Sequence, residues 1–141
     1  MTFTFAEGKR MFDQPVKSLM EPKKLIMVSQ ETTVSEAAGL MASKNTGAVL
    51  VTNNQQLVGI FTERDAVFRV LAMGKDATTT PLCDVMTSPP STVAPGTSYG
   101  HALLLMHENG FRHVPVVDGG RVLGIVASRN AMDPQLEEFV S

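Results

Sequence analysis

GIFTERDAV, residues 59–67, is followed 65 residues later by GIVASRNAM, residues 124–132. Sliding the chain along itself extends the match. At the same offset Met41 falls on Met106, Val49 on Val114, Val51 on Val116, Ile60 on Ile125, Arg64 on Arg129 and Ala66 on Ala131, without a gap from Val28 onward. Ahead of that block VKSLM (16–20) lies over LCDVM (82–86) at an offset of 66, so the first copy has one extra residue near Lys23 and Lys24. The chain is a tandem duplication. Its copies differ where chemistry is expected: Thr62 and Asp65 of the first become Ala127 and Asn130 in the second.

Each copy opens on a short helical start, KSLM or CDVM, and a brief extended piece, LIMVS or STVAP. A helix follows. In the first copy Val34, Ala37, Ala38 and Met41 recur at helical spacing behind Thr33, an N-cap with Glu36 three residues on. In the second, Ser98 caps a helix carrying Ala102, Leu105 and Met106; Asn45-Thr46-Gly47 and Asn109-Gly110 end the two helices. Two strands then meet at a tight turn, marked by Asn53-Asn54 in one copy and Asp118-Gly119-Gly120 in the other. ERDAVFRVLAM and SRNAMDPQLEEFV close the copies as helices, with Pro134 starting, bending or interrupting the second. The expected fold is α+β, two strand-helix-strand-strand-helix repeats related by a pseudo-twofold in one compact module. It comprises an arm at 1–14, repeat 1 at 15–72, a polar connector at 73–80 and repeat 2 at 81–141. Each repeat alone buries too little surface to be more than marginal. The arm's Phe3, Phe5, Met11 and Phe12 need cover, from this module or from another chain.

Composition narrows the function classes. The 141 residues carry 43% hydrophobic and 18% charged side chains with a net charge of −2, and Lys and Arg are scattered among Asp and Glu. No basic surface offers itself to nucleic acid or an anionic membrane. Cys83 is the single cysteine, so no intrachain disulfide, CxxC motif or cysteine zinc site forms, and a reducing compartment is expected. The first residues lack a secretory pattern and no apolar run approaches ~18 residues, which points to a cytoplasmic protein.

The unit, with its hairpin reading PVVD…GIV followed by T-x-x-D and a helix, resembles the CBS domain, and two in tandem resemble a CBS pair, or Bateman module, across nearly the whole chain. The resemblance implies a regulatory module that binds an adenosine-containing nucleotide, AMP, ADP, ATP or NAD, between the copies, with no catalytic cofactor. In it the Asp of T-x-x-D takes the ribose, the Thr faces a phosphate, and the other copy supplies backbone beside the base and basic groups just before its PV. Carried onto this chain, one cleft combines Thr62 and Asp65 with Ser91, Thr92, Val93, Arg112, His113, Pro115 and Arg129, while Ile60, Val93 and Val114 form the apolar slot for adenine. The second cleft, with Ala127, Asn130, Gly47 and Ala48, lacks the carboxylate, the hydroxyl and the basic pair together. One competent site and one degenerate site are expected. The resemblance also implies a homodimer, with Val67, Phe68, Leu71, Leu136 and Phe139 on the pairing face.

Plainer roles stand beside these. Asp65 suits a helix start as a dipole-stabilising acid, and Thr62 suits the N-cap, which is compatible with ligand binding. Arg112 and His113 read equally as solvated turn residues, and Arg129 matches Arg64 by ancestry. Nine methionines read as core filling, and His101 and His107 have no convergent metal ligands. No nucleophile, base and orienter cluster emerges and no GxxxxGK[ST] loop is present, so the chain is read as non-catalytic. The competing readings are a structural homodimerisation module without a ligand and a regulatory fragment of a larger enzyme or transporter.

Overall fold

The computed structural model describes residues 11–20 and 25–131, with the side chains of Asn130 and Ala131 left aside. Its contacts fall into two units. One holds the described residues from 25–91 together with 119–122; the other holds those from 11–20, 92–118 and 123–131.

In the first unit, β1 (Met27–Ser29), α1 (Val34–Lys44), β2 (Ala48–Asn53) and β3 (Gln56–Thr62) follow the expected order. The sheet order is β1-β2-β3. β1 runs parallel to β2, Val28 opposite Val51, as a helical crossover requires, and β2 pairs antiparallel with β3, Val49 opposite Phe61. β2 is central, so Ala48, Val49, Leu50 and Val51 are all buried and the strand reads as an unbroken apolar run. Val34, Ala37 and Met41 face the core, whereas Ala38 is exposed despite its helical spacing. The Thr33 side chain accepts from the Glu36 N–H, and Asn45 ends α1 in the left-handed region at φ 51°. The hairpin turn falls one residue later than Asn53-Asn54 suggests: Asn53 still pairs with Gln56, and Asn54 and Gln55 take φ of 52° and 67°. Two positive φ values are what a two-residue primed turn demands. The closing helix begins as an α turn, α2 (Glu63–Asp65), and continues as a π-helical segment, Ala66–Leu71.

This unit's core is completed from repeat 2. Leu82 and Val85, on and just after the 3-10 turn Leu82–Asp84, are buried with Ile26, Val34, Phe61 and Val70. Their backbone is tied down as well: Leu82 N–H donates to Thr32 O (2.8 Å), and Ile60 and Thr87 exchange two bonds of 3.0 and 2.9 Å. The connector adds to α1, whose Val34 and Ser35 N–H groups donate to Thr80 O and Ala77 O. First-turn amides have no partner within their own helix, so these carbonyls supply one.

The second unit is built the same way around α3 (Tyr99–Asn109), β4 (His113–Asp118) and β5 (Arg121–Ala127), whose first two residues belong by contact to the first unit. Ser98 caps α3 and Gly110, at φ 71°, ends it; Gly119 and Gly120 make the β4–β5 turn with φ of 57° and 80°. Its core of Val93, Tyr99, Ala102, Met106, Val114, Val116 and Val126 is completed by Val16, from the opening 3-10 turn of repeat 1, Val16–Ser18. Val16 N–H donates to Thr97 O at 2.8 Å, and Pro15 bridges Ser98. The two repeats have thus exchanged their opening segments. The extended piece STVAP shrinks to a single bridge, Val93 to Val116. Of the arm, Met11 packs on this core and Gln14 O accepts from Tyr99 N–H; Phe3 and Phe5 lie outside the described residues. The last helix is seen only as the 3-10 turn Ser128–Ala131, and Pro134, Leu136 and Phe139 lie outside the described residues.

Candidate functional site

Thr62 and Asp65 are joined first by local geometry. Thr62 is the N-cap of α2, its hydroxyl accepting from Asp65 N–H (3.3 Å), and Asp65 Oδ2 accepts in return from Thr62 N–H (3.0 Å) and Thr62 Oγ1–H (3.2 Å). The T-x-x-D spacing is that of a reciprocal capping box. Asp65 is 5% exposed, and a buried carboxylate needs hydrogen-bonding partners. One more hydrogen bond and one ion pair arrive from outside the cap. Thr87 Oγ1 donates to Oδ1 at 3.1 Å, with Oδ2 at 3.4 Å, and Arg69 Nε lies 3.4 Å from Oδ1. Sequence reasoning missed both. Arg69 was visible as the i, i+4 cation to Asp65, whereas nothing in the spacing announces Thr87.

The other candidates divide between the units. Ile60 and Ser91 share a unit with Asp65; Thr92, Val93, Arg112, His113, Val114, Pro115 and Arg129 belong to the other. Ile60 is buried on β3 beside Thr87, and Ser91 is exposed. In the second unit the Val93 and Val114 side chains lie in the core, and Val93 N–H and C=O are engaged by Pro115 O and Val117 N–H. Thr92 and Arg112 are exposed, His113 and Arg129 half-buried. Asn130 presents no described side chain to compare with Asp65.

The mapping of the basic pair onto Gly47 and Ala48 has a backbone counterpart. Glu63 N–H donates to Gly47 O at 3.0 Å, and 65 residues later Ser128 N–H donates to Arg112 O at 3.0 Å. The two main chains do the same thing, and the side chains differ: repeat 1 has a glycine and a buried alanine where repeat 2 carries Arg112 and His113.

Cys83 is exposed, and partial desolvation, followed by the charge of Asp84, pushes its thiol pKa up, away from an activated nucleophile. Among the described residues no group of three or more His, Cys, Asp or Glu side chains is placed to hold a metal ion, and no helix is long and apolar enough to cross a membrane.

Comparison with known proteins agrees with the repeat. The family model described as "CBS domain" matches residues 16–72 and 82–134. A CBS domain-containing protein of Bacillus subtilis, YhcV, is 38% identical over 100 residues, covering 71% of each chain. The meiotically up-regulated gene 70 protein of Schizosaccharomyces pombe is 37% identical over 125 residues, 81% of this chain but 17% of that protein. The chain therefore spans a minor part of that longer relative. Among solved structures, an uncharacterized conserved protein from Pyrococcus horikoshii matches with a TM-score of 0.78 and 30% identity over 92% of this chain and 95% of that one. A hexameric CBS-CP12 protein from bloom-forming cyanobacteria matches at 0.76 and 25% over 87% and 74%.

Proposed function

Because the chain belongs to the CBS-domain family and carries the domain twice, we propose that it is a regulatory sensor that binds one adenosine-containing nucleotide through residues of both repeats. The correlated difference between the repeats carries this reading: Thr62, Asp65, Arg112 and His113 stand where Ala127, Asn130, Gly47 and Ala48 stand in the matching places. A carboxylate accepts from two neighbouring ribose hydroxyls at once, and charge-assisted hydrogen bonds are about twice as strong as neutral ones. The amide at Asn130 has one acceptor oxygen and no charge. Arg112 and Arg129 bring planar forks for phosphate, and His113 a donor whose charge responds to pH. These favour AMP, ADP, ATP or NAD over a ligand without phosphate. Ser91 and Thr92, both exposed, add hydroxyls, while the buried Ile60, Val93, Val114 and Pro115 back the base's surroundings from the core side. Occupancy acts by population shift, favouring whichever arrangement lets both repeats reach the ligand.

Pairing of two copies in the cytoplasm completes the proposal. Val67, Phe68 and Leu71 are 50%, 59% and 73% exposed on one helical segment, an apolar surface suited to a second copy. The same surface favours the second reading, a structural homodimerisation module without a ligand.

Calorimetric titration of AMP, ATP and NAD into the wild type, Asp65→Ala and Asn130→Ala decides between them. The proposal expects one nucleotide per chain, lost in Asp65→Ala and kept in Asn130→Ala. Loss in Asn130→Ala alone moves the site to the other repeat, and no binding with an intact dimer leaves the structural module.

A further inference from the structure

We infer that Asp65 is held self-occupied, with the Thr87 hydroxyl and the Arg69 guanidinium in the acceptor positions a sugar diol would use, so that ligand binding is a donor exchange that loosens the 86–88 segment. The inference rests on the proposed nucleotide reading and adds its regulation. A carboxylate offers about four acceptor positions. Here three are met by hydrogen bonds from Thr62 N–H, Thr62 Oγ1–H and Thr87 Oγ1–H, and the Arg69 guanidinium pairs as an ion with Oδ1 at 3.4 Å. A diol donating two hydrogen bonds must therefore displace one of these hydrogen bonds and the Arg69 ion pair.

Geometry says which two. The Thr62 bonds belong to the cap of α2, and losing them undoes the helix start. The contacts from Thr87 and Arg69 come from outside the cap, and the Arg69 contact, at 3.4 Å, is among the longest in the network; its side chain is 52% exposed, so water takes its place readily.

Both leaving donors also hold the 86–88 segment. Arg69 Nη1–H donates to Met86 O at 2.9 Å, and Thr87 pairs with Ile60 through both its backbone groups. Among the described residues, the Ser88 Oγ–H bond to Val58 O (2.7 Å) is the one side-chain hydrogen bond that ties the segment to β3 without involving Asp65 or Arg69. A ligand on Asp65 thus weakens the hold on the segment that repeat 2 lends to the first unit. Occupancy is converted into release of a strap.

The test compares Thr87→Val, Thr87→Ser and Arg69→Gln with the wild type and Asp65→Ala in the full chain, titrating AMP, ATP and NAD. Removing a competing donor leads to tighter binding. Thr87→Val is expected to bind the same nucleotide roughly tenfold more tightly, since a hydrogen bond to a charged group no longer has to be given up, and Thr87→Ser to match the wild type. Binding that appears only in Thr87→Val also supports the inference. Unchanged or weaker binding in Thr87→Val, with Asp65→Ala inactive, overturns it and leaves the nucleotide site standing. No binding in the wild type or in either threonine variant sinks the site reading and the inference together. Should Thr87→Val not fold, Arg69→Gln, altered at an exposed side chain, decides in the same way. Hydrogen exchange at the Thr87 amide supplies the second readout: saturating nucleotide should speed it in the wild type, and slowing or no change excludes release of the strap.

Discussion

Gly59 has no space for a side chain. A Cβ there would sit 2.5 Å from Met86 Sδ and 3.0 Å from the Thr87 carbonyl oxygen, while the three atoms nearest a Cβ on the matching Gly124 all belong to the Met20 side chain, Sδ at 2.9 Å. A methionine side chain swings aside, whereas a carbonyl held in a paired backbone does not. Gly59→Ala should therefore cost about 1–3 kcal/mol by overpacking, and Gly124→Ala less, as read from denaturant midpoints. Equal losses would show that the methionines, not the backbone, set the limit. At this scale the sequence was legible where the partners are close in the chain. Thr62 and Asp65 announce a cap by their spacing, and the structure has that cap. It does not announce Thr87, because a partner brought in by tertiary packing leaves no periodicity. The core burial of Val93 and Val114 was hidden for the same reason.

The β2–β3 and β4–β5 hairpins solve one turn problem with different residues. Both need two consecutive positive φ values; Gly119 and Gly120 adopt them without strain, whereas Gln55 does so at 67° with a Cβ against it. The left-handed conformation costs a residue with a side chain about 1–2 kcal/mol, part of which glycine returns as chain entropy. Gln55→Gly should then stabilise the protein by about 0.5–1 kcal/mol, seen as a higher melting temperature with an unchanged spectrum. No gain would mean that the Gln55 side chain makes up the strain in the folded state. The hairpin itself was readable from apolar runs around Asn-Asn. Its position slipped by one residue because Asn53 is equally at home as the last strand residue, paired with Gln56. The first strand of repeat 2 fared worse, since one bridging residue, Val93, carries too little pattern to separate strand from loop.

Across the whole molecule, the repeat seen in the sequence is not the unit that packs. Leu82 and Val85 lie in repeat 2 by alignment and in the core of repeat 1 by contact; Val16 does the reverse. The shift of offset from 65 to 66 residues marks the seam, but a repeat shows that two segments are alike without showing which sheet each one covers. Leu82→Ala should cost about 2–5 kcal/mol and raise hydrogen exchange first in β1, β2 and β3, while Val16→Ala should raise it first in β4 and β5. Exchange rising first within the mutated repeat's own strands would contradict the crossed packing. Chains leave the ribosome N-terminus first, and that order treats the two units unequally. Once residue 88 has emerged, the β1–β3 sheet has Leu82 and Val85 to cover it, whereas Val16, made before any of that sheet, has its core partner Val126 only much later in synthesis. Translation closes the later-made unit with a piece synthesised before the first unit's sheet.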